Sequence, residues 1–290
     1  MKTLLSLGHG YSAAALARRL IPQGWRVIGT TRDPARAGGL RAAGVEPLLW
    51  PADPGLADPG TTDLGAALAQ ATHVLASAAP VGGRDPFLAA LPGIASARAE
   101  WVGYLSTTGV YGNRDGAWVD ETTPPAPARG RSGDRVEAEA EWLQSGLPVH
   151  VFRLAGIYGP GRGPFQKVKD GTARRILKEG QLFSRIHVED IAQVLEASIR
   201  RPDPGAIYNL CDDEPAPADV VLSHAAALLG LPAPPSVRFE EADLPPMARS
   251  FYEESRRVRN DRIKRDLGVS LLYPSYREGL AAILAAERAA

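Results

Sequence analysis

Several residue types are scarce in this 290-residue sequence, and each scarcity excludes something. A single cysteine, Cys211, cannot close an internal disulfide, and the five histidines (9, 73, 150, 187 and 224) show no HxxxH-like spacing. Neither a disulfide framework nor a metal site is therefore expected. Neither charge is in excess: 33 Lys plus Arg stand against 33 Asp plus Glu. That balance removes the global field by which a protein holds nucleic acid or an anionic membrane. A bilayer-length apolar run is also missing, because Leu64–Gly83 is uncharged but diluted by Gln70, Thr72, His73, Ser77 and Pro80. The opening MKTLLSL imitates a signal peptide, yet its apolar run stops at Gly8-His9-Gly10, short of the roughly 7–15 residues an export signal needs. A reducing cytoplasm is the expected location. Lysine is scarce too, with 5 residues against 28 arginines, and this matters below.

What is present is a composition of 44% hydrophobic and 23% charged residues, that of an ordinary globular protein. The length suits one large α/β domain or two closely joined ones. Lys2–Leu7 is short and apolar, a glycine turn follows, and Ala13, Leu16, Ala17, Leu20 and Ile21 then recur at helical spacing. Pro22-Gln23-Gly24 stops that helix before the strand-like Trp25–Thr30, completing a βαβ unit. Further strands are expected at Val45–Trp50, His73–Ala78, Trp101–Ser106, Pro148–Ala155 and Ala206–Cys211. Helices are expected at Leu64–Gln70, Phe87–Ala99, Asp134–Ser145 and Val188–Arg200, with loop over residues 120–133. This alternation predicts a Rossmann-type, doubly wound parallel sheet, with a smaller C-terminal substrate domain grown from its loops. The predicted division is residues 1–160 with 187–212 for the nucleotide-binding part, and 161–186 with 213–290 for the smaller one.

Gly8-His9-Gly10-Tyr11-Ser12-Ala13 reads GxGxxA between a strand and a helix. One glycine permits the tight turn, the next lets backbone approach a pyrophosphate at the helix N-terminus, and the small third residue lets helix and strand pack. An NAD site expects an acid about 20 residues on, at the end of the second strand. Here Thr31 and Arg32 hold that place, and a guanidinium there suits the 2′-phosphate of NADP. Asp33 competes as a ribose ligand, but Pro34 follows it, which favours a turn or cap role. NADP is the expected cofactor, ahead of NAD.

Five further segments carry a family resemblance: Tyr104–Gly112 (YLSTTGVYG), Asp120–Pro124 (DETTP), Arg153–Arg162 (RLAGIYGPGR), Ile186–Ile191 (IHVEDI) and Ile207–Leu210 (IYNL). In order, and with the glycine turn, they resemble the extended short-chain dehydrogenases/reductases, the NAD(P)-dependent epimerase/dehydratase group. The C-terminal stretch Arg256–Leu280 is similar to an atypical branch of it. The resemblance implies a cofactor site that includes Gly8 to Ala13, Thr31, Arg32, Ala78, Arg135 and Tyr158. It further implies a substrate site at Thr108, Tyr158, Arg162, Phe251, Tyr252 and Asn260, with a homodimer packed through the helix after residue 133.

In that family a Ser or Thr, a Tyr and a Lys act together, the last two as YxxxK. Thr107 matches the hydroxyl, but Arg131 and Arg135 stand where the Tyr and Lys should be. None of the eight tyrosines is followed by lysine four residues on. Arginine stays protonated and cannot shuttle a proton. Arg135 could still bond the nicotinamide ribose and Arg131 a substrate anion or alkoxide, or Arg135 could simply pair with Glu139 on a solvated helix face. Tyr111 and Tyr158 are candidate proton relays, or packed tyrosines. His187 and Asp190 have catalytic residue types, but the resemblance implies a structural role for this segment, with Asp190 capping and anchoring a helix, and Arg162, Arg174, Arg175 and Lys178 either bind an anion or form a solvated face. The expected function is that of an NADP-binding oxidoreductase or epimerase-like enzyme with a small-molecule substrate, anionic or a nucleotide sugar. The rival is a non-catalytic NADP-binding or redox-sensing protein. A methyltransferase shares the glycine turn but expects an acid where Arg32 stands.

Overall fold

The computed structural model describes residues 1–50, 62–90, 94, 98–127 and 130–289. Seven strands form one parallel sheet: β1 (Thr3–Leu7), β2 (Arg26–Thr31), β3 (Glu46–Leu49), β4 (His73–Ala76), β5 (Trp101–Thr107), β6 (Val149–Leu154) and β7 (Ile207–Leu210). Their spatial order is β7-β6-β5-β4-β1-β2-β3, with every pairing parallel. β1 is buried along its whole length, as its apolar run requires of a strand covered by helices on both faces. One face packs Leu16 and Leu20 of the helix Tyr11–Leu20 with Ile191 and Leu195 of Val188–Arg200. The other packs Leu64 and Leu68 of Thr62–Gln70 with Ala138 and Trp142 of Arg131–Leu143.

The chain runs outward from β1 through β2 to β3, then returns to lay β4 on the other side of β1. The crevice outside the carboxyl ends of β1 and β4 is thus the switch point where such sheets take their ligands. Three two-stranded parallel sheets build the smaller part: Gly156–Tyr158 with Arg185–His187, Arg175–Leu177 with Ser236–Arg238, and Trp118–Val119 with Arg257–Val258. The last of these ties the C-terminal segment to the loop after β5. Around them, Ala218–Leu228 and Tyr276–Ala289 share an apolar cluster that includes Phe165, Val221, Tyr276 and Leu280.

Two expected helices differ from those observed. The one after the 120–133 loop starts at Arg131 rather than Asp134, because Gly130 at φ +93° turns the chain directly into it. The one placed at Phe87–Ala99 is seen as Pro86–Ala90, and residues 91–93 and 95–97 lie outside the described residues. Among the described residues, no helix is long and apolar enough to cross a membrane, and no His/Cys/Asp/Glu group could hold a metal ion.

Candidate functional site

The turn Gly8–Gly10 closes the carboxyl end of β1. Gly8 has φ +84°, and a Cβ there would come within 3.0 Å of the Ala78 backbone nitrogen, so β1 and the segment after β4 approach each other only through glycine. Its amide donates to Thr30 Oγ1 at 2.6 Å, and the His9 amide donates to the Thr30 carbonyl at 2.9 Å, which pins the turn to β2. Gly10 is the N-cap of the ten-residue helix Tyr11–Leu20, whose N-terminus has no side-chain cap and no acid in its first turn. A Cβ on Gly10 would meet only the Gly8 carbonyl oxygen, at 3.8 Å, so the space over these amides is open. Unfilled donors, a positive helix end and open space together fit a dinucleotide pyrophosphate. His9 turns the other way: its ring is buried, and burial with the nearby Arg36 lowers its pKa to about 4, so it stays neutral.

At the end of β2, Asp33 Oδ1 accepts from the Ala35 amide at 2.9 Å and caps the short turn Pro34–Arg36. The capping role explains why an acid two residues past the strand's exit need not be a ribose ligand. Thr31 is buried, and its hydroxyl accepts from the Asp33 amide at 3.2 Å, while Arg32 is exposed. A second guanidinium, unforeseen from sequence, reaches the turn: Arg36 Nη2 donates to the His9 carbonyl at 3.3 Å. Its signal was its place four residues after Arg32 in TRDPAR.

From the glycine turn a cleft of about 800 Å³ runs to the smaller part of the molecule. Gly8, Gly10, Tyr11 and Ser12 line one end, Thr107, Thr108 and Arg135 lie along it, and Tyr158, Arg162, Phe251 and Tyr252 also border it. Thr107 ends β5, where its Oγ1 accepts from the Gly109 amide at 3.1 Å and fixes the hydroxyl at the cleft wall. Arg135 Nη1 donates to the Leu105 carbonyl at 2.8 Å, the Tyr104 hydroxyl at 3.0 Å and the Ala78 carbonyl at 3.2 Å. Its positive charge is thereby held in one place, against the carboxyl ends of β4 and β5.

No family model matches the chain. Protein YeeZ of Escherichia coli strain K12 is 30% identical over 287 residues, covering 94% of this chain and 97% of YeeZ. The chain belongs to the NAD-dependent epimerase/dehydratase family of extended short-chain dehydrogenases/reductases. A solved structure of a functionally unknown conserved protein from Silicibacter pomeroyi is 60% identical, with a TM-score of 0.92 over 99% of both chains. Two ligand-bearing structures share the fold at lower identity. MoeE5 in complex with UDP-glucose and NAD is 22% identical (TM-score 0.75; 100% of this chain, 99% of the other). The human epimerase family protein SDR39U1 with NADPH is 18% identical (TM-score 0.76; 98% and 99%).

Against this family the site has a gap. Arg131, in the place of the family tyrosine, is exposed, does not line the cleft, and sets its guanidinium 5.9 Å from the ring centre of Phe251. The structure does not place it on the cleft wall with Thr107: the helix begins at this exposed residue, and its guanidinium lies against Phe251 instead. Glu139 is not a partner of Arg135 either. It is buried, accepts from Arg153 Nη2 at 2.7 Å, and belongs to a network with Ser106 and, through Arg153, with Tyr111 and Asn209. Tyr111 is accordingly packed away from the cleft rather than placed as a relay. Asn260, expected at the substrate, is buried outside the cleft and donates to the Cys211 carbonyl at 2.8 Å and to Asp213 at 2.6 Å. Its amide secures the chain after β7.

Tyr158 lines the cleft, but its hydroxyl donates to the Ser275 carbonyl at 3.2 Å, and burial beside the Asp212 and Asp190 carboxylates pushes its pKa up. That hydroxyl is neither free for a cofactor nor disposed to ionise. Arg162 lies against Tyr11, 5.8 Å from its ring centre, and so stands near the helix that begins at the glycine turn. Asp190 anchors its helix by accepting from the Leu272 and Tyr273 amides at 2.6 and 3.1 Å, but it does not cap it: His187, one residue before the helix, accepts from the Glu189 amide and is the cap. Arg174 and Arg175 bond to backbone carbonyls, and Lys178 to that of Tyr252.

Proposed function

We propose that the chain binds NADP and acts as an oxidoreductase or epimerase-like enzyme of the cytoplasm on a small molecule, with a catalytic centre that departs from YxxxK. The observation that carries this reading is the conjunction in one cleft of the uncapped helix N-terminus at Gly10, the Thr107 hydroxyl and the fixed Arg135 guanidinium. The first-turn amides would hold the pyrophosphate, and Arg32 with Arg36 the 2′-phosphate. NADP supplies or accepts a hydride when bound. Thr107 hydrogen-bonds the substrate oxygen at the reacting carbon, and Arg135 places positive charge along the same wall, where it favours developing oxyanion character. Of the three tyrosines lining the cleft, Tyr11 and Tyr158 donate to the carbonyls of Pro160 and Ser275, whereas Tyr252 has no hydroxyl partner among the described residues. Tyr252 is therefore the cleft phenol whose hydroxyl is free to meet the substrate, although burial, with Asp219 nearby, pushes its pKa up.

Titration of intrinsic fluorescence with NADPH and NADH tests the cofactor assignment. NADPH binds more tightly in the wild type, and Arg32→Ala removes most of the difference; equal wild-type affinities would sink it. Turnover is tested with NADPH and a panel of aldehydes, ketones and nucleotide sugars. On an active substrate, Thr107→Val lowers kcat by about 10²-fold or more while leaving NADPH affinity within about twofold. The triply bonded Arg135 also suits a second reading, a protein that holds NADP without turning it over. NADPH-dependent thermal stabilisation with no oxidation across the panel would favour it.

A further inference from the structure

Beyond the cleft lies a second chamber of about 770 Å³, and Tyr158, Arg185, Ala218, Ala248 and Tyr252 border both spaces. Its walls are largely apolar, built by Ile176, Val221, Leu222, Val237 and Leu280. Its exposed lining residues include Lys167, Arg174, Glu241 and Asp243, two charges of each sign, and Arg185 is the remaining charged residue of the lining. One end of that guanidinium is fixed, since Nη1 donates to the Phe183 and Ala216 carbonyls at 2.9 Å each. Among the described residues Nε and Nη2 have no hydrogen-bond partner and no carboxylate stands within ion-pair distance, although the buried Asp212 carboxylate is near enough to act on the guanidinium. Tyr276, fully buried on the chamber wall, likewise has a hydroxyl without a partner.

A guanidinium held by one nitrogen, with the three N–H groups of Nε and Nη2 unspent, is prepared for a carboxylate, which can take Nε and Nη2 as a pair. Leaving such a cation and a buried phenol unsatisfied is costly, so both point to a ligand that satisfies them. The geometry points to a binding site for a carboxylic acid with an apolar body: the acid group lies on Arg185 where cleft and chamber meet, and the body fills the chamber. A nucleotide sugar fits these walls poorly, because its hydroxyls and phosphates would lose water against aliphatic side chains. As a ligand site the chamber stands by itself; that this acid is the substrate rests on the function proposed above.

Calorimetric titration of the full chain with decanoate, 1-decanol, acetate and UDP-glucose tests the site. Decanoate is expected to bind about 10- to 100-fold more tightly than decanol, the range of a charge-assisted pair. Acetate and UDP-glucose should bind more weakly than decanoate. Arg185→Met should abolish the advantage over decanol, Arg185→Lys should keep part of it, and Leu222→Trp, which fills the chamber, should weaken both ligands. Equal wild-type affinity for decanoate and decanol, stronger binding of UDP-glucose, or unaltered decanoate binding in Leu222→Trp would each overturn the proposal. Should Arg185→Met fail to fold, the wild-type series and Leu222→Trp still decide. NADPH titration of the wild type reads the cofactor assignment separately, so either idea can fail while the other survives.

Discussion

Gly8 shows how much a single position carries at this site. Its positive φ and the 3.0 Å approach of a would-be Cβ to Ala78 give Gly8→Ala two separate costs. A strained left-handed residue costs on the order of 1–3 kcal/mol, and relieving the contact pushes the turn away from β4. Gly8→Ala is therefore expected to lower stability by about that amount in urea unfolding and to weaken NADPH binding more than tenfold. Retention of wild-type affinity would mean that the turn is not the pyrophosphate site. The role of this glycine was legible in sequence because a GxGxxA turn has one local geometry. Arg135 and Asn260 were not equally legible. Both are polar residues in family-like positions, yet Arg135 is committed to backbone at the cleft wall and Asn260 to backbone beneath it.

Between elements, the buried pair Glu139–Arg153 joins the helix Arg131–Leu143 to β6, and its hydrogen bonds extend to Ser106 on β5 and, through Tyr111, to Asn209 on β7. Removing one member strands a buried charge. Glu139→Gln should cost about 3–5 kcal/mol in chemical unfolding, whereas replacing both partners with apolar residues of similar volume should cost less. At the start of Val188–Arg200, His187 accepts from the Glu189 amide at 3.2 Å through Nδ1. Burial lowers its pKa from 6.5 to about 4. The folded state thus binds fewer protons than the unfolded state between those values, so stability falls as pH drops from about 6.5 to about 4. His187→Asn keeps a capping acceptor but does not titrate. In parallel urea melts the wild type should lose stability relative to this variant over that window; parallel curves would refute the assignment. The helix itself was readable from its apolar spacing, but its cap was not, because a histidine before a helix signals chemistry as readily as structure.

For the whole molecule, the cleft exists only where the parallel sheet meets the smaller part, and ligand binding should therefore register as global stability. A ligand that binds only the folded state at about 100 times its Kd adds about 2.7 kcal/mol. Saturating NADPH should accordingly raise Tm by several degrees and NADH at equal concentration by less, an order that Arg32→Ala removes. By itself the sequence determined the parallel α/β sheet, the glycine turn and the absence of YxxxK, since periodicity, glycine spacing and missing residue types are properties of the chain alone. Only the tertiary structure decided that Arg131 is exposed off the cleft, that Arg36 reaches the His9 carbonyl and that Arg185 borders two chambers with three of its five N–H donors unspent. The 28 arginines are alike in sequence. What each one does depends on which carbonyls, rings and carboxylates the folded chain brings within about 3 Å of its guanidinium, and residues far apart in sequence supply most of those partners.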